Sequence, residues 1–157
     1  MKVSISGNYT EVGFRFDVMT KTKNAIAQCI EKLLADNPIP VKATILEIWL
    51  RTDGMSEEQK VVILNQGKGK YWSVEYWLPY LKIVQNGKVD LDTFIDEFFT
   101  ALQTTLSPYS VAAEAIKKAK IEAKELIVGR EEYDFELKPA QQAWRKKVAE
   151  MQDDKAK

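Results

Sequence analysis

Apolar positions recur every second residue near the start of the chain and again between residues 41 and 81, and about every 3.6 residues elsewhere. The first spacing is that of a strand with two unlike faces, the second that of a helix with one apolar stripe. "KVSIS" alternates Val3 and Ile5 with polar residues, "GN" supplies a turn, and "TEVGFRFDV" alternates Val12, Phe14, Phe16 and Val18. This reads as a hairpin, with Arg15 and Asp17 pointing away from the apolar side. A helix follows, with Thr20 or Thr22 as cap and Ile26, Ile30, Leu33 and Leu34 on one face. Pro38 and Pro40 end it. "VKATILEIWLR" (41–51) then reads as a strand, with Leu46, Ile48 and Leu50 on one face and Ile45, Glu47 and Trp49 on the other. After a polar loop, "KVVILN" is a short strand joined by "QGKGK" to the aromatic run that starts at Tyr71. That run continues to Val84 but breaks near Pro79, because proline cannot donate to a ladder.

Past "NGK" the period changes to 3.6. Leu91, Phe94, Ile95, Phe98, Leu102 and Leu106 trace a stripe, with Asp90 or Asp92 as cap. A second helix runs from about Ser110 to Val128, with Ala112, Ala115, Ile116, Ala119, Ala123, Leu126 and Ile127 inward and Gly129 as its stop. "REEYDFEL" is a connector or short strand. A last helix starts at Pro139 and carries Trp144, Val148 and Met151. The order ββαβββααα predicts one α+β domain over residues 1–152, an antiparallel sheet of about five strands packed with helices. Residues 153–157 form a frayed tail.

Composition changes the picture mainly by exclusion. Lys and Arg number 23, and so do Asp and Glu, so the positive excess of a phosphate-gripping protein is missing and nucleic acid is a poor fit. Histidine is absent and Cys29 is alone. Those missing atoms exclude Ser-His-Asp triads, Cys-His dyads and Cys/His zinc sites. Cys29 sits in an apolar helical pattern and reads as a small buried hydrophobe in a reducing compartment. No apolar run approaches the roughly 20 residues of a membrane span, and the N-terminus has no apolar core of a secretory signal. The cytoplasm is the expected location, with no cofactor and no metal. Asp90, Asp92 and Asp96 resemble a helix start favouring the positive end of its dipole more than an oxygen-ligand metal site. "NQGKGKYW" departs from the phosphate-loop pattern and reads as a hairpin turn. Lys117, Lys120 and Lys124 interleave with Glu114, Glu122 and Glu125, which suggests pairing along one helix.

The aromatic run "YWSVEYWLPYL" (71–81) carries the remaining signal. One face holds Trp72, Val74, Tyr76, Leu78 and Tyr80; the other holds Tyr71, Ser73, Glu75, Trp77, Pro79 and Leu81. If the second face continues that of Glu47 and Trp49, the sheet presents tryptophans among charged groups, the composition of an interaction hot spot. The candidate partner-binding residues are therefore Trp49, Trp77 and Glu75, with Glu47, Arg15 and Asp17 beside them; Asp90, Asp92 and Asp96 form a secondary acidic set. A competing arrangement lets the C-terminal segment with Tyr133, Phe135 and Trp144 bury the tryptophans as core. Two other classes stay open. One is a small-molecule-binding protein or His-free enzyme with a pocket lined by Trp72, Tyr76 and Tyr80 near Glu75; the other is a structural homo-oligomer paired through an edge strand.

A His-free α+β domain with a tryptophan-bearing sheet and the acidic-apolar helix "VDLDTFIDEFFTAL" resembles the immunity proteins that protect bacteria from contact-dependent or polymorphic toxins. The likeness is to a format spread along the chain. It implies a non-enzymatic protein that binds a cognate toxin and blocks its active site. Where such a toxin has a basic cleft, acidic groups would meet it, and Asp90, Asp92, Asp96, Glu97, Glu131, Glu132 and Asp134 are those at hand.

Overall fold

The computed structural model describes residues 1–7, 19–53, 58–66, 69–85 and 88–133. In chain order these form β1 (Lys2–Gly7), α1 (Thr20–Asp36), β2 (Ile45–Asp53), β3 (Lys60–Gln66) and β4 (Tyr71–Pro79). A helical turn α2 (Tyr80–Ile83), the short strands β5 (Val84–Gln85) and β6 (Lys88–Val89), and helices α3 (Leu91–Leu106) and α4 (Ala113–Ile127) follow. The chain is α+β, as its pattern predicts, and no helix among the described residues is long and apolar enough to cross a membrane.

The sheet is mixed rather than antiparallel. Among the described residues it has four strands in the order β1-β2-β4-β3. β1 and β2 run parallel, β2 and β4 run parallel, and only β3 opposes β4. The reason lies in α1. Its 17 residues carry the chain back by about 25 Å, so β2 begins at the same end of the sheet as β1. The β3–β4 hairpin then places β4 inside, between β2 and β3. β5 and β6 make a separate two-stranded antiparallel ribbon. The second hairpin strand expected at residues 10–18 and the last helix expected from Pro139 lie outside the described residues.

The helices cover one face of the sheet. Leu46, Ile48 and Leu50 of β2 and Trp72, Val74, Tyr76 and Leu78 of β4 are sealed there, the alternation that their sequences predict. α1 packs on β1, while α3 packs on β4 and β3. Phe98 of α3 meets the Tyr76 ring edge-on, with centroids 5.3 Å apart. The Tyr76 hydroxyl lies 2.7 Å from Thr105 Oγ1, and Thr105 donates its own proton to the Ala101 carbonyl at 3.0 Å. Tyr76 is therefore the donor of the pair. Burial pushes its phenol pKa upward, so it keeps that proton. α4 lies against α1 and α3 through Ile116, Ala119, Ala123 and Ile127. Its inner face is narrower than its sequence pattern, and Leu126, at the border of the stripe, is exposed.

The helix ends show where local chemistry decides. Asp90 caps α3 by accepting from the Thr93 N–H at 3.3 Å. α4 stops before Gly129, whose φ of +80° suits a residue without Cβ. α1 starts one residue earlier than a threonine cap requires: Met19 occupies the cap position without a side-chain bond, and Lys23 N–H reaches the Met19 carbonyl. Pro79 is the last residue of β4, and the chain turns helical directly after it.

Candidate functional site

The face of the sheet turned away from α1 and α3 is built differently. In β2, the residues between the sealed leucines and isoleucine are Ile45, Glu47, Trp49 and Arg51, all half-buried. In the parallel register, Glu47 lies beside Ser73, Trp49 beside Glu75, and Arg51 beside Trp77. Side-by-side residues of paired strands share a face, so six polar and aromatic side chains form one patch. Trp49, Trp77, Glu75 and Glu47, expected together from the alternation alone, are together. Arg15 and Asp17 lie outside the described residues.

Two units repeat within the patch. Each is a glutamate followed two residues later by a tryptophan on the same strand. The Trp49 indole donates to Glu47 Oε1 at 3.2 Å, and the Trp77 indole donates to Glu75 Oε1 at 3.1 Å. The geometry follows from the pleat, which puts residues i and i+2 on one side, within reach of two long side chains. Each bond fixes an indole that packing alone does not enclose.

The units differ in what the neighbouring strand supplies. Glu47 accepts a second bond, from the Ser73 hydroxyl of β4, at 2.8 Å and on the same Oε1. Glu75 is instead met by a charge. Arg51 of β2 brings its Nε to 2.6 Å from Glu75 Oε2, and its guanidinium lies 5.7 Å from the centre of the Trp77 ring. Among the described residues the Arg51 Nε has no aligned hydrogen-bond acceptor, so this approach is a charge contact rather than a directed bond. The pairing suits Glu75, which at 9 % exposure is the more enclosed of the two carboxylates. Among the described residues Glu47 has no ion-pair partner.

Arg51 and Ser73 are the members that sequence reasoning left out of the site. Arg51 continues the series Ile45, Glu47, Trp49 by one more step of two, and Ser73 stands two residues before Glu75. The repeated Glu-x-Trp spacing was also readable. Which residue of β4 faces which of β2 was not, because the parallel register depends on how the chain crosses over.

The other candidates fall elsewhere. Trp72, Tyr76 and Tyr80 are packed into the core, Trp72 at 1 % exposure with its ring edge-on to Tyr109 at 5.3 Å. Glu75 points to the opposite side of the sheet from Trp72 and Tyr76, so these residues do not converge on one cavity. The acidic set on α3 is engaged. Lys124 of α4 contacts Asp96 at 2.7 Å and Asp92 at 3.0 Å, and Lys120 contacts Asp96 at 3.3 Å. Partial burial would raise the Asp96 pKa, but hydrogen bonds and charges from Lys124 and Lys120 outweigh it and lower the value. Burial likewise works to lower Lys124, and Asp96 and Asp92 overcome it to raise the value. These lysines therefore join two helices; the sequence had suggested pairing along α4 alone. Cys29 is buried in α1, and burial, with the nearby Glu122, raises its thiol pKa.

Compared with protein-family models, with curated proteins and with solved structures, the chain matches none.

Proposed function

We infer that this chain is a non-enzymatic protein-binding module whose partner rests on the Glu47–Trp49–Arg51 and Ser73–Glu75–Trp77 face, and that it acts in the cytoplasm as an immunity protein, neutralising a cognate toxin. One observation carries the binding assignment: two half-buried tryptophans share one face of paired strands, set diagonally one step of two apart, each held by a carboxylate two residues before it. Indoles fixed in this way offer large contact area at low entropy cost, with carboxylates beside them for specificity. The toxin assignment rests on the resemblance of the chain's format to immunity proteins. The α3 carboxylates contribute less to the partner surface than their sequence suggested, because Lys120 and Lys124 already engage Asp92 and Asp96.

The experiment is a binding titration against the protein encoded next to this one in its genome, by calorimetry, with Trp49→Ala and Trp77→Ala in parallel. Each substitution is expected to weaken binding by about 2 kcal/mol or more while the fold persists. Folded variants that bind with unchanged affinity remove this face from the interface. A neighbouring product that neither binds nor is toxic when expressed alone removes the immunity assignment.

A further inference from the structure

We propose that the Glu47–Trp49 unit is a receptor for a guanidinium group, and that an arginine of the partner protein fills it as Arg51 fills the neighbouring unit. This rests on the reading of the face as a binding surface and names the chemistry of the group that meets it. The argument is internal to the molecule. The two units share a carboxylate, an indole donating to its Oε1 at 3.1–3.2 Å, and a strand spacing of two. In one of them the second oxygen, Glu75 Oε2, is met by the Arg51 guanidinium, which also stands over the Trp77 ring. In the other, both hydrogen bonds from Trp49 and Ser73 fall on Glu47 Oε1, and no cation of the described residues pairs with the carboxylate.

A planar guanidinium suits such a place better than an ammonium. It can bond a carboxylate with one edge while its face rests on an aromatic ring, and it sheds water more readily. Ser73 and Trp49 both donate to Glu47 Oε1, which leaves Oε2 without a partner among the described residues for an incoming donor. The site is half-buried, so a charge arriving there is screened less than on an open surface.

The test uses the full chain labelled with ¹⁵N and reads the tryptophan indole N–H signals. The probes are three blocked tripeptides, Gly-Arg-Gly, Gly-Lys-Gly and Gly-citrulline-Gly; citrulline keeps the shape of arginine and lacks its charge. The arginine peptide is expected to shift the Trp49 signal saturably, the lysine peptide to do so at least about fivefold more weakly, and the citrulline peptide not at all. The Trp72 and Trp77 signals stay in place. Glu47→Gln abolishes the Trp49 response, and Arg51→Met makes the Trp77 signal respond, because it vacates the second unit. No Trp49 shift with the arginine peptide overturns the proposal, as does an equal shift with citrulline. A shift that appears only in Arg15→Ala also overturns it, since the chain's own Arg15 would then be the occupant. The three peptides on the unaltered chain decide the matter even where a variant fails to fold. They also separate this proposal from the wider one: a silent Trp49 with Trp49→Ala and Trp77→Ala still impairing partner binding sinks the arginine receptor and leaves the binding face standing.

Discussion

The two faces of the sheet use the same residue type for opposite ends. Trp72 and Trp77 lie five residues apart on β4, on opposite sides. Among the described residues Trp72 is held by packing, against Tyr109 and the sealed residues under the helices. Trp77 is held by a hydrogen bond to Glu75 and by a guanidinium near its ring. Close packing fixes a side chain by removing it from contact with anything else. A bond to a neighbouring carboxylate fixes it and leaves part of the ring accessible. The difference teaches how a small sheet can hold a rigid aromatic surface that is not yet core.

The sharpest way to break that comparison is to truncate both residues. Trp72→Ala should cost about 3–5 kcal/mol, as a large core deletion does. Trp77→Ala should cost about 1–2 kcal/mol, the loss of partial burial and one hydrogen bond. Urea unfolding followed by far-ultraviolet circular dichroism measures both. Equal costs would make the far face a second core and leave no basis for a docking surface.

A smaller effect should distinguish the two glutamate units. Glu75→Gln strands the Arg51 charge, whereas Glu47→Gln strands no cation among the described residues, so Glu75→Gln should be the more destabilising by about 1 kcal/mol. The Arg51 side chain is 39 % exposed, and solvent screening keeps the figure modest. A double-mutant cycle of Glu75→Gln with Arg51→Met should return a coupling of about 1 kcal/mol. A coupling of zero would mean that the close approach contributes no net attraction.

The smallest effect belongs to the bridge between α3 and α4. Lys124→Met should lower stability by about 0.5–1 kcal/mol near neutral pH, since both partners are partly exposed. The pH dependence follows from the directions of the shifts. Asp96 is lowered from its ordinary 3.8, so its contribution is present above that value and is lost as pH falls through the folded one. Lys124 is raised from its ordinary 10.5, so its contribution is present below that value and is lost as pH rises through the folded one. The gap in melting temperature between wild type and Lys124→Met should therefore stay level from about pH 5 to 9 and close in stronger acid. A gap that persists unchanged at about pH 2 would assign the effect to packing of the lysine stem.

Most of the elements were legible because burial writes a period into the sequence. The series Leu46–Ile48–Leu50 and Trp72–Val74–Tyr76–Leu78 fixed which side of each strand is core, and with it the grouping of Glu47, Trp49, Glu75 and Trp77. Pro79 marked the end of β4, and Asp90 marked the start of α3. Strand direction was not legible. The short connections suggested hairpins throughout, yet parallel pairing of β1 with β2 depends on a helix returning along the sheet, a property of the crossover rather than of either strand. The cation at Glu75 was missed for the same reason, since Arg51 reaches it across a register that only the assembled sheet defines. The engagement of Asp92 and Asp96 by α4 was not legible, because pairing within one helix is visible as a spacing, whereas the reach of Lys124 to another helix is not.

The position of β4 has a further consequence. It is bonded to β2 on one edge and to β3 on the other, so its amide hydrogens exchange with solvent only when one of the two ladders opens. β2 is likewise an interior strand, flanked by β1 and β4. Interior strands open last in local fluctuations. If a protein docks on this face as proposed, it would meet a plate already set in its final shape and give up little motional freedom on landing, an economy that a mobile loop cannot match.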